Sequence, residues 1–176
     1  YKRQAEGTPL LARPERLRKS ASTNTHVNRK DGLEVKRDGT FSGAEFHSGE
    51  AMLPAILAKI NGAVKEICGQ QYAMDHVKII EALVTAMKRG VEVTIIFDTV
   101  QFMHNTSCKT QYVRCRELYE AGARLLTYTP PKGSEAGWHI MHSKIFLVDR
   151  MVLMTGSANA THAAMGCNEE NLVIVH

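Results

Sequence analysis

Two periods organise the chain from Phe41 onward. In one, apolar residues recur every three or four positions, as on one face of a helix. In the other, short β-branched and aromatic runs end at turn residues. Met52, Leu53, Ile56, Leu57 and Ile60 share a helical face, and Pro54 fits only because it falls near the helix start. A short strand over 44–47 leads into that helix through Ser48-Gly49, and 64–72 reads as a second strand. The next helix is expected over 76–89. Asp75 is its N-cap, and Val77, Ile80, Leu83, Val84 and Met87 form its apolar stripe. Lys88 and Arg89 suit its negative end, and Gly90 stops it. Residues 91–97 form a β-branched run closed by Asp98, which predicts a buried strand, and 99–108 reads as polar loop. A helix over 110–121 halts at Gly122 and is followed by a strand over 124–128. Residues 129–138, with Pro130-Pro131 and two glycines, read as loop. Two adjacent strands, 145–148 and 151–155, flank a tight turn at Asp149-Arg150. A short helix follows Asn159, and 172–175 is the last strand.

Strands alternating with helices in this way favour a largely parallel or mixed sheet covered by helices. With 176 residues the chain holds one core-bearing domain, expected over 41–176. Residues 1–40 show no sustained period and carry a turn signal at Asp38-Gly39, so they read as a peripheral arm or hairpin. Charge sharpens the division. The arm holds 10 Lys and Arg against 5 Asp and Glu, whereas 41–176 holds 12 against 13. The net charge of +4 therefore resides in the arm, and a basic segment of this kind recruits polyanions such as nucleic acid or anionic lipid. No apolar run approaches the roughly 20 residues that span a bilayer, and no secretory signal pattern opens the chain. Cys68, Cys108, Cys115 and Cys167 form no C-x-x-C pair and no zinc-site spacing. They read as scattered thiols, which favours a reducing, cytoplasmic compartment.

The chemistry-bearing residues lie between His142 and Asn171. His142 and Lys144 are two apart, so in an extended segment they face the same side. An imidazole and an ammonium aimed at one spot suit a phosphodiester: one attacks phosphorus while the other holds the non-bridging oxygens. Ser157 and Asn159 repeat the spacing after Gly156 and add neutral donors. Glu170 is placed to accept from one ring nitrogen of His142 and leave the other free to attack. Each piece alone is ordinary: a surface H-x-K, a glycine turn, a hairpin aspartate at Asp149, a solvated glutamate. Their order within one short stretch, around two predicted strands, is not.

That order resembles the signature of the phospholipase D superfamily, H-x-K-x4-D followed by G-S-x-N. Here it reads His142-Ser143-Lys144-Ile145-Phe146-Leu147-Val148-Asp149, then Gly156-Ser157-Ala158-Asn159. A Glu-Asn pair about ten residues further on is matched by Glu170-Asn171, and 78–98 resembles the helix–strand unit that precedes the motif in the family. The resemblance covers about 45–175. It implies an α/β/α sandwich on a mixed sheet and a phosphodiesterase with no cofactor and no metal. His142 would form a covalent phosphohistidine. Lys144, Ser157 and Asn159 would stabilise the phosphoryl oxygens, Glu170 would orient His142, and Asp149 would support structure more than touch substrate.

In this chemistry a second histidine must protonate the leaving oxygen and then activate water. The other H-x-K, His76-Val77-Lys78, has Leu83 where aspartate belongs and no G-S-x-N after it, so it is rejected. His104, His139 and His162 remain as spare histidines, with His139 expected at the rim of the cleft beside Trp138. One complete motif predicts a two-fold homodimer with two copies of His142 face to face, as in single-motif members of the family. The chain opens on Tyr1 and stops at His176, where small members usually continue with a helix. A truncated chain, or the first half of a tandem two-motif protein, would read the same way. The leading expectation is an endonuclease acting on DNA or RNA, favoured by the basic arm. A lipid phosphodiesterase or phosphatidyl transferase is the alternative, and the low aromatic content and lack of a membrane-binding amphipathic helix count against it. A non-catalytic binding module would have little need of the complete residue set.

Overall fold

The structure, a computed structural model, describes residues 43–103, 109–129 and 139–176. The elements run β1 (Ala44–Ser48), a 3-10 turn (Gly49–Ala51), α1 (Met52–Gly62), β2 (Glu66–Gln71), α2 (Val77–Lys88), β3 (Glu92–Asp98) and α3 (Thr99–Met103). They continue through α4 (Lys109–Glu120), β4 (Arg124–Tyr128), β5 (Lys144–Val148), β6 (Val152–Gly156), α5 (His162–Gly166) and β7 (Asn171–Val175). The seven strands lie in the order β1-β7-β6-β5-β2-β3-β4. β2, β3 and β4 are parallel, joined by helical crossovers, while β2–β5, β5–β6, β6–β7 and β7–β1 pair antiparallel. The described residues thus build one α/β domain on a mixed sheet, as the alternation predicts.

Period-2 patterning decides which face is buried. Ile67, Val93, Ile95, Phe97, Phe146, Val148, Met154, Leu172 and Ile174 point into one core against Met52, Ile56 and Ile60 of α1 and Ile79, Ile80, Leu83 and Ala86 of α2. Each such aliphatic side chain contributes roughly 1.5–3 kcal/mol by leaving water. At Gly69 the core is so close that a Cβ would stand 2.8 Å from Ile95 Cδ1. Arg89, at the C-terminal end of α2, donates to the carbonyls of Ile60, Asn61 and Ala63 and locks the two helix ends together. Gly90 turns the chain with φ +93°, a conformation that costs a side chain energy and glycine little.

Four local expectations are corrected. The α2 stripe is rotated: Ile79, Ala82 and Ala86 are buried, whereas Val77, Val84 and Met87 are only half-buried. Small alanines let α2 approach the sheet, and a pattern that counts only large apolar residues overlooks them. His76, not Asp75, is the N-cap of α2; the Asp75 carboxylate instead accepts from His162 N at 3.0 Å. Val64 is 74 % exposed and precedes β2 rather than starting it. Residues 99–103 form α3 rather than loop, because Asp98 Oδ1 accepts from Gln101 N at 2.8 Å and caps the turn. The expectations for the arm over 1–40, for the loop stretches 104–108 and 130–138, and for His104, Cys108 and Trp138 lie outside the described residues. Among the described residues no helix is long and apolar enough to cross a membrane.

Candidate active site

The site lies where the start of β5 meets the end of β6. The antiparallel register pairs Ile145 with Thr155, so one step further the ladder sets Lys144 opposite Gly156. His142 then stands beside the segment that carries Ser157 and Asn159. Lys144 and Ala158 line the same small cavity with Gln71. β7 enters from the other side, with Leu172 opposite Gly156, which brings Glu170 and Asn171 alongside. Three neighbouring strand ends therefore deliver His142, Lys144, Ser157, Asn159 and Glu170 to one end of the sheet.

Gly156 permits this convergence. A Cβ there would fall 2.2 Å from the Asn171 carbonyl oxygen and 3.0 Å from Leu172 Cα. The same carbonyl accepts from Ser157 N at 3.2 Å and Ala158 N at 3.4 Å, and Ser157 Oγ accepts from Asn171 N at 3.0 Å. Ser157 Oγ also donates to Glu170 Oε2 in a short hydrogen bond, and Glu170 Oε1 accepts from Asn168 Nδ2 at 3.3 Å. Among the described residues, then, the Glu170 carboxylate holds Ser157 and makes no hydrogen bond to His142, contrary to the direct contact expected from the motif.

The nucleophile candidate is fixed from its backbone. Tyr72 N donates to Ser143 O at 3.0 Å, and Asp98 Oδ2 accepts from Met141 N at 2.9 Å. The Asp98 carboxylate is 2 % exposed, so it ties the end of β3 to the residue just before His142. Asp98 was legible only as a strand end, and its second bond crosses from another strand. The His142 ring is exposed and meets the Tyr72 ring at 4.6 Å between centroids, 65° between planes. Lys144 Nζ donates to His142 O at 2.8 Å and stands 5.1 Å from the Tyr72 ring centroid. Desolvation pulls the Lys144 ammonium below its ordinary pKa, and the Glu170 charge partly restores it.

Asn159 Oδ1 is buried without a hydrogen-bond partner among the described residues. Its segment is anchored from behind: Ala160 O accepts from Asp75 N and His76 N, both at 3.1 Å, and His162 stacks on His76 at 4.3 Å. Burial, reinforced by the neighbouring His162, holds the His76 imidazole below its usual pKa. At 5 % exposure it is a packing histidine, in keeping with the rejection of His76-Val77-Lys78. His139 is exposed.

Asp149 is not brought to this cluster. It sits at the far end of β5, about 16 Å from Lys144 at roughly 3.3 Å per residue. Its carboxylate accepts from the backbone N–H groups of Val64, Lys65 and Glu66 at 2.9, 2.7 and 3.0 Å. Those bonds, from Val64 first, lower its pKa. Its placement sets it apart from the cluster and makes it the clasp between the β5–β6 turn and the start of β2.

A larger hollow of about 200 Å³, lined by Phe102, Tyr112, Cys115, Arg116, Tyr119 and Leu125, lies away from these residues. Its one thiol, Cys115, is pushed by burial to about 12 and is no nucleophile at neutral pH. Among the described residues no group of three or more His, Cys, Asp or Glu side chains is placed to hold a metal ion.

A family model described as "Cardiolipin synthase, PLD-like domain" matches residues 56–176. The chain belongs to the phospholipase D superfamily. A curated relative from Rickettsia felis, named "Phospholipase D", is 32% identical over 120 residues, 68% of this chain and 54% of that protein. "Cardiolipin synthase A" of Buchnera aphidicola subsp. Acyrthosiphon pisum is 30% identical over 125 residues, 69% of this chain and 23% of that protein. The chain thus spans about half the length, or less, of these curated relatives. Among solved structures, Nuc from Salmonella typhimurium, titled a phospholipase D family member, superposes with a TM-score of 0.64. It is 27% identical, over 75% of this chain and 82% of that one. NucT from Helicobacter pylori shares the fold with a TM-score of 0.63, at 22% identity over 74% of this chain and 83% of that one.

Proposed function

We propose that this chain carries one half-site of a metal-independent endonuclease that cleaves DNA or RNA phosphodiesters through a phosphohistidine on His142. The observation that carries the reading is the convergence of His142, Lys144, Ser157 and Asn159 at the β5–β6 end. In the first step a ring nitrogen of His142 attacks phosphorus, a P–O bond breaks, and the leaving oxygen takes a proton from a second histidine on the far side. In the second, that histidine takes a proton from water, the oxygen of water attacks phosphorus, and the N–P bond breaks. Lys144 and the Ser157 and Asn159 donors hold the phosphoryl oxygens, where charge develops. Glu170 keeps Ser157 in place and orients the site. The second histidine is His142 of a second copy across a two-fold axis; a second motif in a longer polypeptide would serve the same role.

The nuclease reading is supported by the basic arm, with a net charge of +5 over 1–40, and by the resemblance to single-motif nucleases. It is also supported by the match to four-fifths of the Nuc chain. The names of the curated relatives, phospholipase D and cardiolipin synthase A, favour a second reading, a lipid phosphodiesterase or phosphatidyl transferase. One assay separates them. Protein in EDTA is given single-stranded DNA, duplex DNA, RNA and phosphatidylcholine vesicles, with His142→Asn as the blank. Cleavage of a nucleic acid that survives the chelator and vanishes in His142→Asn is expected. Turnover of the vesicles alone overturns the nuclease assignment, and loss of cleavage in EDTA with recovery in Mg²⁺ overturns the mechanism.

A further inference from the structure

We infer that Tyr72, a residue outside the motif, is the positioning residue for both His142 and Lys144; this rests on the phosphodiesterase reading of the site. Its place follows from the sheet. β2 ends at Gln71, opposite Lys144, and Tyr72 N donates to Ser143 O at 3.0 Å, which extends the β2–β5 ladder by one residue. That bond brings the Tyr72 backbone beside Ser143, and at this strand end the phenol ring reaches the two residues that flank it, His142 and Lys144. The phenol ring then does two things. It meets the imidazole of His142 at 4.6 Å in an edge-on arrangement of 65°, and the Lys144 ammonium stands 5.1 Å from its centroid. Edge-to-face packing and a cation over a ring face are the two arrangements that the aromatic quadrupole favours.

The inference gains weight from what the imidazole lacks. The His142 ring is exposed, and the carboxylate expected to orient it is taken up by Ser157 and Asn168. Among the described residues the Tyr72 ring is the aromatic group that packs against it. An exposed side chain with two free torsions visits several rotamers, and a nucleophile misplaced by about 1 Å loses on the order of 10²-fold in rate. Lys144 is held in the same way, between His142 O at 2.8 Å and the ring. The ring therefore keeps the cation and the imidazole side by side. The Tyr72 hydroxyl has no hydrogen-bond partner among the described residues, so the aromatic ring is the active part.

The test compares Tyr72→Phe, Tyr72→Leu and Tyr72→Met, each checked for folding by circular dichroism. Bis-p-nitrophenyl phosphate is the phosphodiester probe, and NMR chemical shifts and relaxation of the His142 ring protons follow the substrate-free protein. Tyr72→Phe is expected to keep kcat and the ring-proton shifts. Tyr72→Leu and Tyr72→Met are expected to lower kcat roughly 10- to 100-fold with KM little changed, to remove the ring-current displacement of the His142 ring protons and to raise the mobility of the imidazole. If Leu does not fold, Met decides. A kcat, ring-proton shifts and mobility unchanged by loss of the ring, or a Phe variant as impaired as Leu, overturns the inference. The NMR arm needs no substrate. Should the wild type fail to turn over any phosphodiester, the ring-proton shifts still read the positioning while the functional reading falls.

Discussion

Gly156→Ala is the sharpest probe of how the fold builds the site. The added Cβ would lie 2.2 Å from the Asn171 carbonyl oxygen and 2.9 Å from its carbon. Both are backbone atoms of a paired strand, so no side chain can swing away. Restoring an ordinary carbon–oxygen contact needs β6 and β7 to part by about 1 Å. Over-packing of this kind costs about 1–3 kcal/mol. The displaced carbonyl is also the acceptor for Ser157 N and Ala158 N, and each weakened bond adds about 1 kcal/mol. A loss of about 3–5 kcal/mol is expected in urea denaturation, a large share of the 5–15 kcal/mol typical of a domain. The same shift moves Ser157 and Asn159 away from Lys144, so kcat of the folded fraction falls on the order of 10²-fold. Gly62→Ala is the control: nothing lies within 4 Å of its added Cβ, at the C-terminal end of α1, and the change is expected to be neutral or slightly stabilising. A Gly156→Ala protein with wild-type stability and wild-type kcat refutes the close-approach argument.

Asp149 has a depressed folded-state pKa, so its contribution to stability is present above its unfolded value of about 3.9 and is lost as pH falls through the folded value. Asp149→Asn should therefore cost about 1 kcal/mol at pH 7, after discounting for its solvent contact. The gap to wild type should close in acid denaturation below pH 4; a gap independent of pH contradicts the clasp. If two copies of His142 share one phosphate, mixing exchangeable His142→Asn and wild-type chains should make activity fall as roughly the square of the wild-type fraction. A linear fall, or an active monomer by sedimentation, excludes the shared site. Deleting 1–40 should weaken nucleic-acid binding and flatten its salt dependence while single-turnover cleavage at saturation persists. Loss of that cleavage in a folded deletion makes the arm part of the site.

Sequence periodicity located nearly every element because most carry a complete local signal. The 124–128 strand, the Gly90 and Gly122 stops and the hairpin turn at Asp149-Arg150 are set by neighbours along the chain. The misses share a different cause. α3 forms because Asp98 caps it from the end of a strand, which is not visible in a segment that reads as polar loop. The α2 face is turned by Ala82 and Ala86, whose burial follows from contact with the sheet and not from their own hydrophobicity. Tyr72 carries no signal at all, since its contacts with His142 and Lys144 arise only after β2 and β5 pair. For the same reason the partner of Glu170 was not legible. Whether its carboxylate takes His142 or Ser157 depends on the β6–β7 approach that Gly156 allows.

The motif itself gains a physical meaning once the register is known. H-x-K places two side chains at the start of β5, the next four residues are the rest of that strand, and the aspartate closes it. Asp149 and Arg150 both take left-handed conformations, with φ of 52° and 59°, the geometry of a two-residue hairpin turn that matches strand twist. The chain then returns along β6 for five residues and reaches Gly156 opposite Lys144. The spacing between lysine and aspartate is therefore a strand length, and that between aspartate and glycine is the return stroke. A one-residue change in either would turn the side chains of one strand to the opposite face and separate Ser157 and Asn159 from His142 and Lys144. Asp149 acts on the site through the turn: by clasping it to the backbone of Val64, Lys65 and Glu66, it fixes the register that sets these strand ends side by side.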